Sequence, residues 1–164
     1  MSINRNAVDL DDIDFALLRL LVDRPRDGMR EYARVLGVAR GTVQNRAARL
    51  IRQGVVRNFA ADVDPAALGY PVLGFAHLHL AQGRLEAVST ALATIPEVIE
   101  AHSITGDSDV FCRVVARHHL HLEDVVQRIL GLPGVVRIRT ELALHERVAR
   151  RILPLLDGPV NASG

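Results

Sequence analysis

The chain has no lysine, no tryptophan and a single cysteine among its 164 residues. One cysteine cannot close an intramolecular disulfide, and it rules out a multi-cysteine metal site. It fits a reducing compartment. Aromatic residues make up only 4% of the sequence, so the core must be aliphatic. No apolar run approaches the roughly 18 residues that a membrane span needs. The opening MSINRNAVDLDD has no apolar stretch of the kind a secretory signal requires. These absences predict a soluble cytoplasmic protein that does not engage a membrane. The sequence also lacks G-x-S-x-G, H-E-x-x-H and a phosphate-binding P-loop. It therefore reads as a protein without catalytic activity, cofactor or resident metal.

What is present is arginine, unevenly placed. The formal net charge is +1, but residues 1–60 hold 11 arginines against 7 acids, and residues 61–164 hold 9 against 12. From Arg30 to Arg57 there are seven arginines and one acid, Glu31. Arginine forks match phosphate and guanine in two-point contacts. A basic half joined to a mildly acidic one suggests a nucleic-acid-facing module attached to something else.

The basic half reads as three helices. In LDDIDFALLRLLVDR the apolar residues Leu10, Ile13, Leu17, Leu20 and Leu21 follow a helical period. Asp11, Asp12 and Asp14 crowd its start, where the helix dipole favours negative charge, and Pro25 stops it. GMREYARVL is a second helix ended by Gly37. The third runs from Arg40 to Gln53, with Val43, Ala47, Leu50 and Ile51 as its buried face and Gly54 as its stop. Ala33, Gly37 and Val43 are spaced for a close crossing, a tight turn and a packing contact, which is a helix-turn-helix arrangement. The third helix then presents Arg40, Gly41, Thr42, Gln44 and Asn45 to the major groove, with Arg46 and Arg49 further along for backbone phosphates. Its N-cap position is Ala39, which has no oxygen to satisfy a helix amide. Free amides there suit a phosphate, which the dipole and Arg40 would also attract.

Val55–Val63 reads as a strand, and Asp64-Pro65 and Gly69-Tyr70-Pro71 as turns. Beyond them the pattern is strand 72–80, helix 84–95, strand 98–105, strand 109–116, helix 120–132 and strand 134–144. This βαββαβ order is ferredoxin-like. An internal echo supports it, since Ile95-Pro96-Glu97-Val98 and Leu132-Pro133-Gly134-Val135 occupy equivalent junctions 37 residues apart. An antiparallel sheet with helices on one face leaves the other to be covered, and a second copy of the chain is the economical cover. The domain reading is 1–54 winged or plain helix-turn-helix, 55–71 linker strand and turns, 72–146 ferredoxin-like domain and 147–164 C-terminal tail. The fold class is α+β.

ITGDSDVF joins the two middle strands. Gly106 lets the chain turn and lets a ligand approach closely. Thr105, Asp107, Ser108 and Asp109 add hydroxyls and carboxylates that could hold the charged groups of a free amino acid, although such residues are also ordinary in a hairpin turn. RHHLHLED holds His118, His119 and His121, but their spacing does not suit a helical zinc site. His77 and His79 alternate on the first strand and share one face with Leu73 and Phe75. Cys112 sits among apolar strand residues, where a thiol is inert. The central strands lack the paired aromatics on which an RNA-binding sheet stacks bases.

Together these segments resemble the leucine-responsive and asparagine regulators (Lrp/AsnC) of prokaryotic transcription. The carriers are LDDIDFALLRLL, EYARVLGVARGTVQNRAARLIRQGVV, DPAALG, ITGDSDVF and LPGVVRIRTEL. The resemblance implies a helix-turn-helix that binds double-stranded DNA and a C-terminal domain (RAM, related to ACT domains) that binds small effectors, usually amino acids. It implies dimers formed through the C-terminal sheets, often assembled into octamers. It places an effector site at Thr105, Gly106, Asp107, Ser108 and Asp109, with the last strand contributing near Arg137, Arg139 and Thr140. The chain departs from the family pattern at Ser108, where an aromatic is common, and at Gly28 and Ala39, where Ser caps are common. The competing reading is an amino-acid-binding assembly protein whose helical half docks another protein. Loss of DNA affinity with rising salt distinguishes the two.

Overall fold

A computed structural model describes residues 8–157. The first seven residues, part of the stretch read for a signal, and residues 158–164 of the tail lie outside the described residues. The chain divides into two compact units, one formed by residues 8–61 with 148–157 and the other by Asp62–Arg147. None of the described helices is long and apolar enough to cross a membrane.

The first unit is helical. Helix α1 spans Asp12–Asp23, α2 Met29–Leu36 and α3 Arg40–Arg52. The acids at the start of α1 do more than complement the dipole. The Asp14 N–H donates to Asp11 Oδ1 (2.8 Å) and the Asp11 N–H to Asp14 Oδ2 (3.2 Å), a reciprocal capping box. Gly37 ends α2 at φ 66°, a left-handed turn that suits glycine and directs the chain into α3. Leu17, Leu18, Leu21, Tyr32, Ala33, Val43, Ala47 and Leu50 form the core. The Tyr32 hydroxyl donates to the Arg24 carbonyl (2.6 Å), so its polar end is satisfied.

Four expectations for this half change. Ile51 is 45% exposed and leaves the buried face of α3. It follows Leu50 by about 100° around the helix, past the seam that Val43, Ala47 and Leu50 fill. Residues 55–63 form no strand. The Val55 and Val56 amides instead bond back to the Leu50 carbonyl (2.9 and 3.2 Å), and both side chains pack under the helices. Phe59 and Val63 are exposed, and no described strand lies beside this segment to complete a ladder. For the same reason no β-wing follows α3 among the described residues. A short helix, α6 (Leu153–Leu156), emerges from the segment read as tail, and Leu156 packs on the N-terminal core.

The second unit is the βαββαβ arrangement: β1 Val72–Leu80, α4 Leu85–Leu92, β2 Val98–Ser103, β3 Val110–Ala116, α5 His119–Leu130 and β4 Val135–Leu142. The sheet is antiparallel with order β2-β3-β1-β4. Alternate residues of β1 and β3 (Ala76, Leu78, Val110, Cys112, Val114, Ala116) meet Val88, Leu92, Leu122, Val125 and Ile129 of the helices in one apolar layer. Gly74 lets α5 come close, since a Cβ there would stand 3.3 Å from a Leu122 methyl. Burial pushes the Cys112 thiol up to about 11, so it stays protonated and inert. The echoed junctions share one turn bond, from the Val98 amide to Ile95 O and from the Val135 amide to Leu132 O, 3.0 Å each. The histidine run is used locally: His118 Nδ1 accepts from the His121 N–H (3.1 Å) to cap α5, and His121 Nε2 faces Glu97 Oε1 at 3.2 Å.

Candidate nucleic-acid interface and effector hairpin

Helix α3 has two sides with different work. Toward the core lie Val43, Ala47 and Leu50. Toward solvent, at its N-terminal end, lie Arg40, Gly41, Thr42, Gln44 and Asn45, all exposed. No side chain caps the helix at Ala39. Among the described residues, Arg30, Arg40, Arg52 and Arg57 have no carboxylate partner within ion-pairing distance. The structure thus groups five of the seven residues expected to meet DNA on one exposed, cationic helix start.

Arg46 and Arg49 are placed differently. Arg46 Nη1 donates to Asp11 Oδ1 (2.7 Å) and Asp14 Oδ1 (2.9 Å), and Arg49 Nη2 donates to Asp14 Oδ2. Asp14 is fully buried. Burial alone would raise its pKa, but the hydrogen bonds from Arg49 and Arg46 outweigh that and hold it below the usual carboxylate range. These arginines therefore tie α3 to α1. Local sequence rules assign Asp14 a dipole role only, because its partners lie more than thirty residues away.

The hairpin expected to hold an effector sits at one end of the sheet. Gly106 has φ 114°, and Thr105, Gly106 and Asp107 are exposed. Asp109 is a staple: its carboxylate accepts from the Leu80 N–H (2.7 Å), its own N–H donates to Leu78 O (2.9 Å), and its carbonyl accepts from the Ile104 N–H (3.0 Å). Ser108 is buried, with its hydroxyl 3.4 Å from His77 Nδ1. His77 lies edge-on to Phe111 (5.2 Å between centroids), which stacks on Phe75 (5.6 Å). These residues occupy the sheet face away from the helices.

The strand register divides the last-strand residues. Arg137 lies opposite His79 and Arg139 opposite His77, both on the face that carries Ser108 and Phe111. Arg139 also pairs with Glu141 (3.3 Å). Thr140 lies opposite Ala76 and so points toward the helices, where its hydroxyl is buried without a hydrogen-bond partner. Thr140 thus stands on the other side of the sheet from Arg137 and Arg139. His77 was not expected at this site. Its alternation with Phe75 placed it on the open face, but its proximity to Ser108 depends on the hairpin's path.

Two family models match the chain. Residues 10–51 match an AsnC-type helix-turn-helix domain and residues 73–153 match an Lrp/AsnC ligand-binding domain. A Pyrococcus horikoshii HTH-type transcriptional regulator, FL11, is 30% identical over 148 residues, covering 90% of this chain and 98% of that protein. Escherichia coli AsnC is similar in structure with a TM-score of 0.82 and 26% identity, over 90% of this chain and all of that one. A Neisseria meningitidis transcriptional regulator solved in complex with L-Met shares the fold at a TM-score of 0.81 and 21% identity, over 90% and 97% of the two chains.

Proposed function

We propose, from the premise that the chain belongs to the Lrp/AsnC family of helix-turn-helix transcriptional regulators, that the start of α3 reads a DNA operator and that an amino acid bound at the hairpin modulates this binding. The observation that carries the reading is the α3 surface. Arg40, Thr42, Gln44 and Asn45 are exposed together, while Arg46 and Arg49 secure the same helix from behind. Such side chains suit base edges and phosphates in the major groove. Gly41 keeps the helix start slim.

The amino-acid effector would lie against Thr105–Asp107, with Ser108, Arg137 and Arg139 on the adjoining sheet face. The meningococcal regulator's complex with L-Met makes an amino acid the first class to test. Asp109 is committed to the Leu80 amide, so it shapes this site rather than binding in it. Phe75, Phe111 and Leu73 leave an apolar face that no helix of this unit covers. A second copy is the cover this reading favours, giving a dimer with two α3 helices for a pseudo-palindromic operator.

Fluorescence anisotropy on a duplex selected from a random pool by the protein tests the reading. Affinity should fall steeply with salt, as log K drops by about 0.9 per log salt for each phosphate neutralised. Arg40→Ala should lower affinity roughly tenfold, in line with a contact of about 1–3 kcal/mol, and leave thermal stability unchanged. Absence of duplex binding at low salt would favour the protein-docking alternative. A thermal-shift screen of the twenty amino acids tests the effector, since a ligand of the folded state raises Tm.

A further inference from the structure

The chain visits the DNA-binding unit twice. It leaves that unit at residue 61, builds the ligand-binding unit, and returns at Val148. The return is anchored. Arg19 on α1 donates to the Leu156 carbonyl (2.7 Å) and pairs with Asp157 (2.7 Å), while the Leu156 side chain packs against the helical core. The ligand-binding-domain match ends at residue 153, so most of α6 lies beyond it. Upstream, the segment follows directly from β4, whose Arg137 and Arg139 belong to the proposed effector face, and the Ala143 N–H holds its start to Leu73 O (2.9 Å). Helix α1 is also the helix whose Asp14 grips Arg46 and Arg49 of α3.

We propose that the C-terminal segment is a strap that links β4 to α1 and thereby positions the recognition helix, with Arg19 as its receptor. This rests on the effector reading above. The path is one covalent connection and two contacts: the chain itself runs from β4 to α6, Arg19 and Leu156 join α6 to α1, and Asp14 joins α1 to α3. A ligand that shifts β4 then changes the pull on α1. Such a shift biases DNA binding only by its differential affinity for the two arrangements. The apolar side chain and the two polar contacts divide the anchoring between them, so each can be removed separately.

The test uses the full chain and four variants: Leu156→Asp, Arg19→Ala, Arg19→Lys, and an insertion of a flexible Gly/Ser segment after Glu146. The first two should raise amide exchange in α1 and α3 about tenfold, as expected when a local unit loses part of its protection, and leave β1–β4 unchanged. Arg19→Lys, which keeps the charge facing Asp157, should fall between Arg19→Ala and wild type. The insertion should preserve α1 protection, because α6 still docks, yet reduce the change in duplex affinity caused by whichever of the twenty amino acids stabilises the wild type. Unchanged exchange in α3 for both Leu156→Asp and Arg19→Ala would overturn the positioning role. An inserted chain that responds like wild type would overturn transmission through the strap while leaving the effector reading intact. If no amino acid alters DNA binding by the wild type, the effector reading and the strap's signalling role both fall, and the exchange data still decide whether the tail positions α3.

Discussion

Asp14→Asn probes the joint between α1 and α3 with the smallest change of shape. Asp14 is fully buried and accepts from Arg46, Arg49 and the Asp11 amide. Asparagine keeps the volume but loses the charge, and its amide nitrogen confronts a guanidinium. Removing one partner of a buried ion pair costs about 3–5 kcal/mol when the other charge is stranded. Here the cost is smaller. Arg46 keeps Asp11, and the two arginine side chains retain 23% and 37% of their exposure, so water reaches them. A loss of about 2–4 kcal/mol follows, built from charge-assisted hydrogen bonds of about 1.5–3 kcal/mol each and discounted for solvent. In a domain of this size that lowers Tm by at least roughly 8 °C. Circular dichroism melts of wild type and variant at pH 7 measure it. The pH dependence gives a second check. The folded-state pKa of Asp14 lies below its unfolded value near 3.8. Its stabilisation is therefore complete above that value and is lost as pH falls through the folded-state pKa. The gap between wild type and Asp14→Asn should accordingly narrow in acid. A variant that melts within about 3 °C of wild type at pH 7, where a loss of this size cannot hide, would refute the reasoning.

Four other substitutions separate structure from function. Asp109→Ala removes the acceptor of the Leu80 amide and should cost about 1–3 kcal/mol in urea unfolding, whereas Asp107→Ala should leave the unfolding midpoint alone and abolish any amino-acid-induced thermal shift. Ala39→Ser supplies the absent cap and should stabilise by about 0.5–2 kcal/mol; weaker duplex binding in the same protein would identify the free amides as phosphate ligands. Gly134→Ala should destabilise by about 1–3 kcal/mol, because φ is 109° and the new Cβ would stand 2.7 Å from Arg84 Cβ; an unchanged urea midpoint would contradict it.

Local rules carried much of this fold. The helical periods of α1 and α3, the left-handed turn at Gly37 and the twin proline junctions each depend on neighbours in the chain, and each appears where the pattern put it. Strand alternation was equally informative when followed strictly. Thr140 adjoins Arg139, so period two already sets it on the opposite face. What local rules could not reach were partnerships at long range. Residues 55–63 carry a strand-like composition but have no described strand to pair with. Arg46 and Arg49 have the residue type of phosphate ligands, and only the crossing of α1 and α3 brings Asp14 beneath them. Helix α6 is four residues long, contains Pro154 and has no capping side chain; it is held by Arg19 and the helical core.

The separation of labour along α3 has an evolutionary consequence. Residues 40–42, 44 and 45 lie outside the core, and substitutions at such surface positions ordinarily change stability by no more than about 0.5 kcal/mol. Arg46 and Arg49, by contrast, are bound to a buried carboxylate. On the proposed reading, operator preference can therefore drift among paralogues, or be rewritten by selection in the laboratory, without renegotiating the fold that presents it.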